Sequence, residues 1–107
     1  MDVYQITSPS NADYTEVGCY KDNAGSRMFS LEHSSFERNS AEVCYEFCSK
    51  DDEAAFFGLQ YGKECWCGKS NDDYDENGTG RCDYECPGNP AESCGGHLEM
   101  TVYAMFN

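Results

Sequence analysis

Eight cysteines in 107 residues constrain this chain more than any other feature. A domain this small buries a limited core and leans on cross-links. An even cysteine count fits four disulfides and an oxidising compartment, the secretory pathway or the cell exterior. The competing class, a reduced metal protein, is built on Cys-x-x-Cys pairs. None occurs here: the close spacings are Cys44-x3-Cys48, Cys65-x-Cys67 and Cys82-x3-Cys86. Eight thiols admit on the order of a hundred pairings, so the count alone leaves the connectivity open.

The stretch Ala54 to Gly68, AAFFGLQYGKECWCG, predicts a β-hairpin. Phe56, Phe57, Leu59 and Tyr61 build the outgoing strand, Gly62-Lys63 a two-residue turn, and Glu64 to Cys67 the return. In that register Gln60 faces Cys65 and Gly58 faces Cys67. Alternation then puts Gly58, Gln60, Cys65 and Cys67 on one face, and Phe57, Leu59, Tyr61 and Trp66 on the other. Upstream, Asn39-Ser40-Ala41-Glu42 reads as a capping box and Ala41 to Lys50 as a short helix. Cys44 and Cys48 share one face of that helix. One helical turn rises about 5.4 Å, and two strand residues about 6.6 Å. Two bridges are therefore expected to staple helix to hairpin, with Gly58 small where the helix crosses and Trp66 turned away toward solvent.

Residues 1–13 read as a linker or N-terminal arm and residues 14–107 as the domain. Tyr14 to Tyr20 predicts a first strand, Glu32 to Asn39 a polar loop, and Lys69 to Arg81 a long acidic loop. Cys82 to Cys94 is a compact cysteine-rich segment. Leu98 to Phe106 reads as a closing strand, expected to pair with the first at the centre of one antiparallel sheet. No apolar run is long enough to span a bilayer, and Met1 is not followed by a signal-peptide core. The segment is expected to be a mature domain of a longer secreted chain, with Met1 an addition to it.

Twenty acids against seven bases give a net charge of −13. That excludes nucleic acid and anionic membrane, which require basic patches. It suits divalent cations and uncharged or cationic partners.

Gly18-Cys19-Tyr20-Lys21-Asp22 with Arg27 opens a pattern that continues through Cys44-x3-Cys48, Phe57-Gly58-Leu59-Gln60-Tyr61-Gly62 and Glu64-Cys65-Trp66-Cys67-Gly68. It closes with Cys82-x3-Cys86-Pro87-Gly88-Asn89, Cys94-Gly95-Gly96 and Val102-Tyr103. Over about Val17 to Tyr103 this resembles a WSC domain, the cysteine-rich module of yeast cell-wall stress sensors. The resemblance implies an α+β, PAN/apple-like fold, a helix stapled on a twisted antiparallel sheet. It implies the pairing Cys19–Cys82, Cys44–Cys65, Cys48–Cys67 and Cys86–Cys94. It also implies a non-catalytic, secreted carbohydrate-binding module for a β-glucan-like or other cell-wall polysaccharide, tethered to further domains or present in tandem copies. A protein-interaction or self-association module of an extracellular receptor or adhesin is the alternative.

Fifteen aromatics, eight of them tyrosines, can stack on the C–H faces of sugar rings while hydroxyls and amides bind the sugar hydroxyls. Trp66, Tyr61, Gln60 and Tyr20 are the candidates; the competing role for Trp66 is to fill a second small core. Asp73-Tyr74-Asp75-Glu76-Asn77-Gly78 matches the start of a calcium loop, with Asp73, Asp75 and Asn77 as ligands, although the twelfth position is Tyr84 and no helices flank it. Asn77-Gly78-Thr79 is also a glycosylation sequon. His33 and His97 have no nucleophile at a recognisable spacing, and no apolar pocket for a paired acid is foreseen, so no catalysis is expected. Arg27 is expected to bridge to Asp22 or a C-terminal carbonyl as a structural anchor.

Overall fold

The computed structural model describes residues 13–25 and 27–106. The expected N-terminal arm lies, but for Asp13, outside the described residues. In chain order the elements are β1 (Tyr14–Lys21), β2 (Glu32–Ser35), α1 (Ala41–Cys48), β3 (Ala54–Gln60), β4 (Glu64–Lys69), β5 (Glu85–Cys86), β6 (Asn89–Ser93) and β7 (Glu99–Met105). Five strands form one sheet in the order β1-β7-β3-β4-β2, and β5 and β6 form a separate hairpin. The fold is α+β, one short helix on an antiparallel sheet.

Ser40, not Asn39, caps α1: its hydroxyl accepts from the Val43 amide at 3.2 Å, and with Val43 at the third helical position the expected capping box gives way to a one-sided cap. Asn39 is instead fully buried, its amide donating to the Gly62 and Glu64 carbonyls. The helix ends at Cys48, two residues sooner than expected, with Ser49 as its C-cap.

Two cores lie on opposite faces of the sheet. One, under α1, gathers Phe57, Leu59, Cys65, Cys67 and Tyr103. The other gathers Met28, Phe29, Trp66, Met100 and Val102. This reverses part of the predicted hairpin. The observed partners are Gln60–Glu64, Leu59–Cys65, Gly58–Trp66 and Phe57–Cys67, so three residues, Tyr61 to Lys63, make the turn. A one-residue slip moves every side chain of one strand to the other face. Phe57 and Leu59 therefore join the cysteines under the helix, and Gly58 and Gln60 join Trp66 on the far side. Gly58 is not small for the helix: a Cβ there would meet Met100.

Two further expectations are corrected. Glu32 to Asn39 is not all loop, because Glu32–Ser35 pairs with β4 as an edge strand. First and last strands pair, but β1 is an edge and β3 is central. Residues 78–80 cover that edge: the Lys21 amide donates to the Gly78 carbonyl at 2.8 Å and the Gly80 amide to the Cys19 carbonyl at 3.2 Å. An unpaired strand edge invites association, and the tail of the acidic loop blunts this one.

The disulfides are Cys19–Cys82, Cys44–Cys65, Cys48–Cys67 and Cys86–Cys94, the pairing that the resemblance implies. The middle two fasten α1 to β4. Asp22 and Arg27 form the expected anchor, an ion pair at 2.8 Å.

Candidate functional site

The tip of the β3–β4 hairpin is held in a left-handed conformation, with φ of 58° at Tyr61 and 80° at Gly62. A bulky residue rarely adopts such a φ, and strain of this kind gathers at functional sites. The Gly62 amide donates to the Cys94 carbonyl at 2.9 Å. Gly95 passes so close beneath the hairpin that a Cβ would come within 2.2 Å of the Leu59 carbonyl oxygen. The Tyr84 amide donates to the Gly95 carbonyl at 2.9 Å, and the Tyr84 carbonyl accepts from the Cys94 amide at 2.7 Å. These backbone bonds bring three rings together from distant parts of the chain. The Tyr61 ring stands edge-on to Tyr84 at 6.4 Å and to His97 at 5.3 Å. The Tyr61 hydroxyl and His97 Nδ1 share a 2.5 Å hydrogen bond. Tyr84 is 43% exposed and His97 is exposed.

The predicted candidates do not form one platform. Trp66 lies on the face away from α1, but it is only 8% exposed, so the outward indole is corrected. His33, its partner on β2, stacks on it at 4.4 Å, and the Arg27 guanidinium carbon sits 4.8 Å from its centroid. Its Nε1 donates to Glu64 Oε1 at 3.2 Å. Gln60 is fully buried and faces no solvent. With its amide set to satisfy both neighbours, it donates to Asp22 Oδ2 at 3.1 Å and accepts from Arg27 Nη1 at 2.9 Å. That network props the Trp66 side of the sheet. Tyr20 is half-buried on β1, its ring edge-on to Tyr74 at 5.0 Å. Tyr61 alone of the four joins the exposed rim.

A second feature opens on the α1 side of the sheet, between β1, β6 and β7. Tyr14, Thr15, Glu16, Ala91, Glu92, Ser93 and Tyr103 line a groove of about 470 Å³. Burial first, then the charges of Glu16 and Glu92 and the neighbouring Tyr14, push the Tyr103 phenol above the ordinary tyrosine range. In the acidic loop, Asp73 is raised above the usual aspartate value, first by a hydrogen bond with Asp75 and then by burial and the charges of Asp75 and Glu76. Asn77 is half-buried.

A model of the WSC domain matches residues 16–96. The chain belongs to the WSC domain family. It is 31% identical to a WSC domain-containing protein of Arthroderma benhamiae, over 89% of this chain and 13% of that protein. It is 34% identical to Xylosyltransferase oxt of Drosophila pseudoobscura pseudoobscura, over 81% of this chain and 10% of that protein. It is 32% identical to Protein SLG1 of Saccharomyces cerevisiae, over 94% of this chain and 25% of that protein. This WSC domain thus spans a quarter or less of each of these relatives, the bulk of which lies outside it. Among the described residues no helix is long and apolar enough to cross a membrane.

Sequence reasoning missed Tyr84 and His97 as companions of Tyr61, and missed the groove altogether. The signal for the rim was faint: Cys94-Gly95-Gly96 marked a turn, but not that the turn docks under the hairpin tip.

Proposed function

We propose that this WSC domain is a non-catalytic, extracellular module that binds a β-glucan-like polysaccharide on the rim of Tyr61, Tyr84 and His97. The observation that carries the reading is an exposed, edge-to-face cluster of rings held by backbone bonds at a strained turn. Aromatic faces stack on the C–H faces of sugars, and phenol and imidazole offer hydrogen bonds to their hydroxyls. A shallow rim binds weakly per site. Tethering to other domains or tandem copies raises avidity by effective concentration, which agrees with relatives several times longer than this chain.

Four disulfides suit the oxidising surroundings of a cell wall or secreted protein. A calcium ion at Asp73, Asp75 and Asn77 is a separate proposal, supported by the proximity of the first two carboxyls. Isothermal titration with calcium, repeated on Asp73→Ala, tests it; equal heats from both proteins reject it.

The binding test is retention on insoluble polysaccharides, glucan among them. Retention by the wild type and its loss in Tyr84→Ala, with the melting transition intact, is expected. Absence of any glycan retention, together with concentration-dependent dimerisation abolished by Tyr84→Ala, would instead assign the rim to self-association.

A further inference from the structure

The groove between β1, β6 and β7 stands apart from the Tyr61 rim and has a different chemistry. Both of its carboxylates, Glu16 and Glu92, are uncompensated by any lysine or arginine in the lining. Glu92 spends one oxygen on the α1 N-terminus, accepting from the Ala41 amide at 3.0 Å. Its other oxygen has no protein partner among the described residues. The Ser93 hydroxyl is already committed, donating to the Cys82 carbonyl at 2.6 Å. Tyr103 is 6% exposed, its ring stacked on Phe57 at 4.8 Å, and its hydroxyl has no hydrogen-bond partner among the described residues. Tyr103 lines the groove, so a ligand seated there can meet this hydroxyl.

We propose that this groove is a second ligand site, taking the protonated amine of a glucosamine unit in a polysaccharide. The carboxylates of Glu16 and Glu92 pair with the ammonium, the Tyr103 hydroxyl bonds a ring hydroxyl, and the tyrosine rings border the sugar. An ammonium among carboxylates and aromatic faces gains both ion pairing and cation–π attraction. A neutral glucose unit offers no charge to set against the two acids, so the site discriminates amino sugar from glucan. The proposal rests on reading the domain as a polysaccharide binder, but it uses none of the rim residues.

Titration of the labelled domain with a glucosamine tetramer at mildly acidic pH, followed by amide shifts, tests it. Glucose and N-acetylglucosamine tetramers and a lysine-containing peptide serve as parallel probes. Shifts confined to residues 14–16, 91–93 and 103 are expected, with affinity falling at least tenfold in Glu16→Gln/Glu92→Gln. Glutamine at 92 still accepts from Ala41, so the fold survives. The control Asp52→Asn/Glu53→Gln removes the same charge from exposed positions and is expected to change affinity less than twofold. Equal losses in both double variants, or shifts spread over the acidic surface, overturn the site as mere charge attraction. Equal binding of the neutral tetramers in the groove overturns its preference for amines, and tighter binding of the peptide reassigns it to a protein partner. Tyr84→Ala separates the two readings. Loss of glucan retention with glucosamine binding intact leaves both standing, whereas glucan binding with no groove shifts overturns only this one.

Discussion

Gly58 lies directly beneath Met100: a Cβ on the glycine would come within 2.1 Å of the methionine sulfur and 2.4 Å of its Cγ. Both residues are buried, on the central strand β3 and its neighbour β7. The close approach lets the second core form over the middle of the sheet, with Trp66 beside Gly58 on β4.

Gly58→Ala is accordingly expected to destabilise by about 1–3 kcal/mol, the usual cost of overpacking. Chemical denaturation checks it. Met100→Ala should cost less in the Gly58→Ala background than alone, because the two share one space. Simple additivity of the two losses would contradict the account.

The bridges differ in the chain they close. Cys19–Cys82 spans 63 residues and Cys86–Cys94 only 8. In the chain-entropy view the longer loop stabilises by about 2 kcal/mol more. Paired alanine substitutions, compared by thermal unfolding, should show that order. The reverse order would mean that local packing, not chain restriction, sets the effect.

The helix, the hairpin and the closing strand were legible because period and spacing declare them: Cys44 and Cys48 on one helix face, alternating residues around Cys65 and Cys67. What was not legible hung on a single residue of turn length. Gly62-Lys63 reads as a two-residue turn, yet Tyr61 tolerates the left-handed region and joins it, because Gly95 and the Cys94 carbonyl hold the tip from below. That slip moved Gln60 into the interior and set Trp66 opposite Gly58 instead of Leu59. β2 was missed for another reason. Glu32-His33-Ser34-Ser35 is polar, and its strand conformation comes from pairing with β4 and from His33 stacking on Trp66. Of the rim only Tyr61 was legible, since its three rings come from three separate segments.

Tyr61→Gly tests whether the tip is strained for function. Glycine removes a left-handed penalty of roughly 1–2 kcal/mol, while losing ring contacts with Tyr84 and His97. Stability within about 1 kcal/mol of wild type is expected, with retention on glucan lost. A severe loss of stability would make Tyr61 a packing residue instead.

Glu99 links β7 to the Cys82 segment. Its Oε1 accepts from the Cys82 amide at 2.9 Å. That bond first, opposed by burial and then aided by the Arg81 amide and the charges of Lys21 and Arg81, holds its carboxyl below the usual glutamate value. A depressed folded value means the stabilisation is present above the unfolded pKa, about 4.3, and is lost as pH falls through the folded value. Melting temperatures of wild type and Glu99→Gln should therefore differ at neutral pH and converge in acid. A gap that is constant with pH would remove the charge from the explanation.

The most direct test of the rim is an amide and ring shift map of the labelled domain titrated with a neutral β-glucan oligosaccharide. Shifts centred on Tyr61, Tyr84 and His97 are expected, with the buried Gln60 and the indole of Trp66 little changed. Shifts centred on Trp66 and Arg27, with Tyr84 unmoved, would contradict the rim as the binding site.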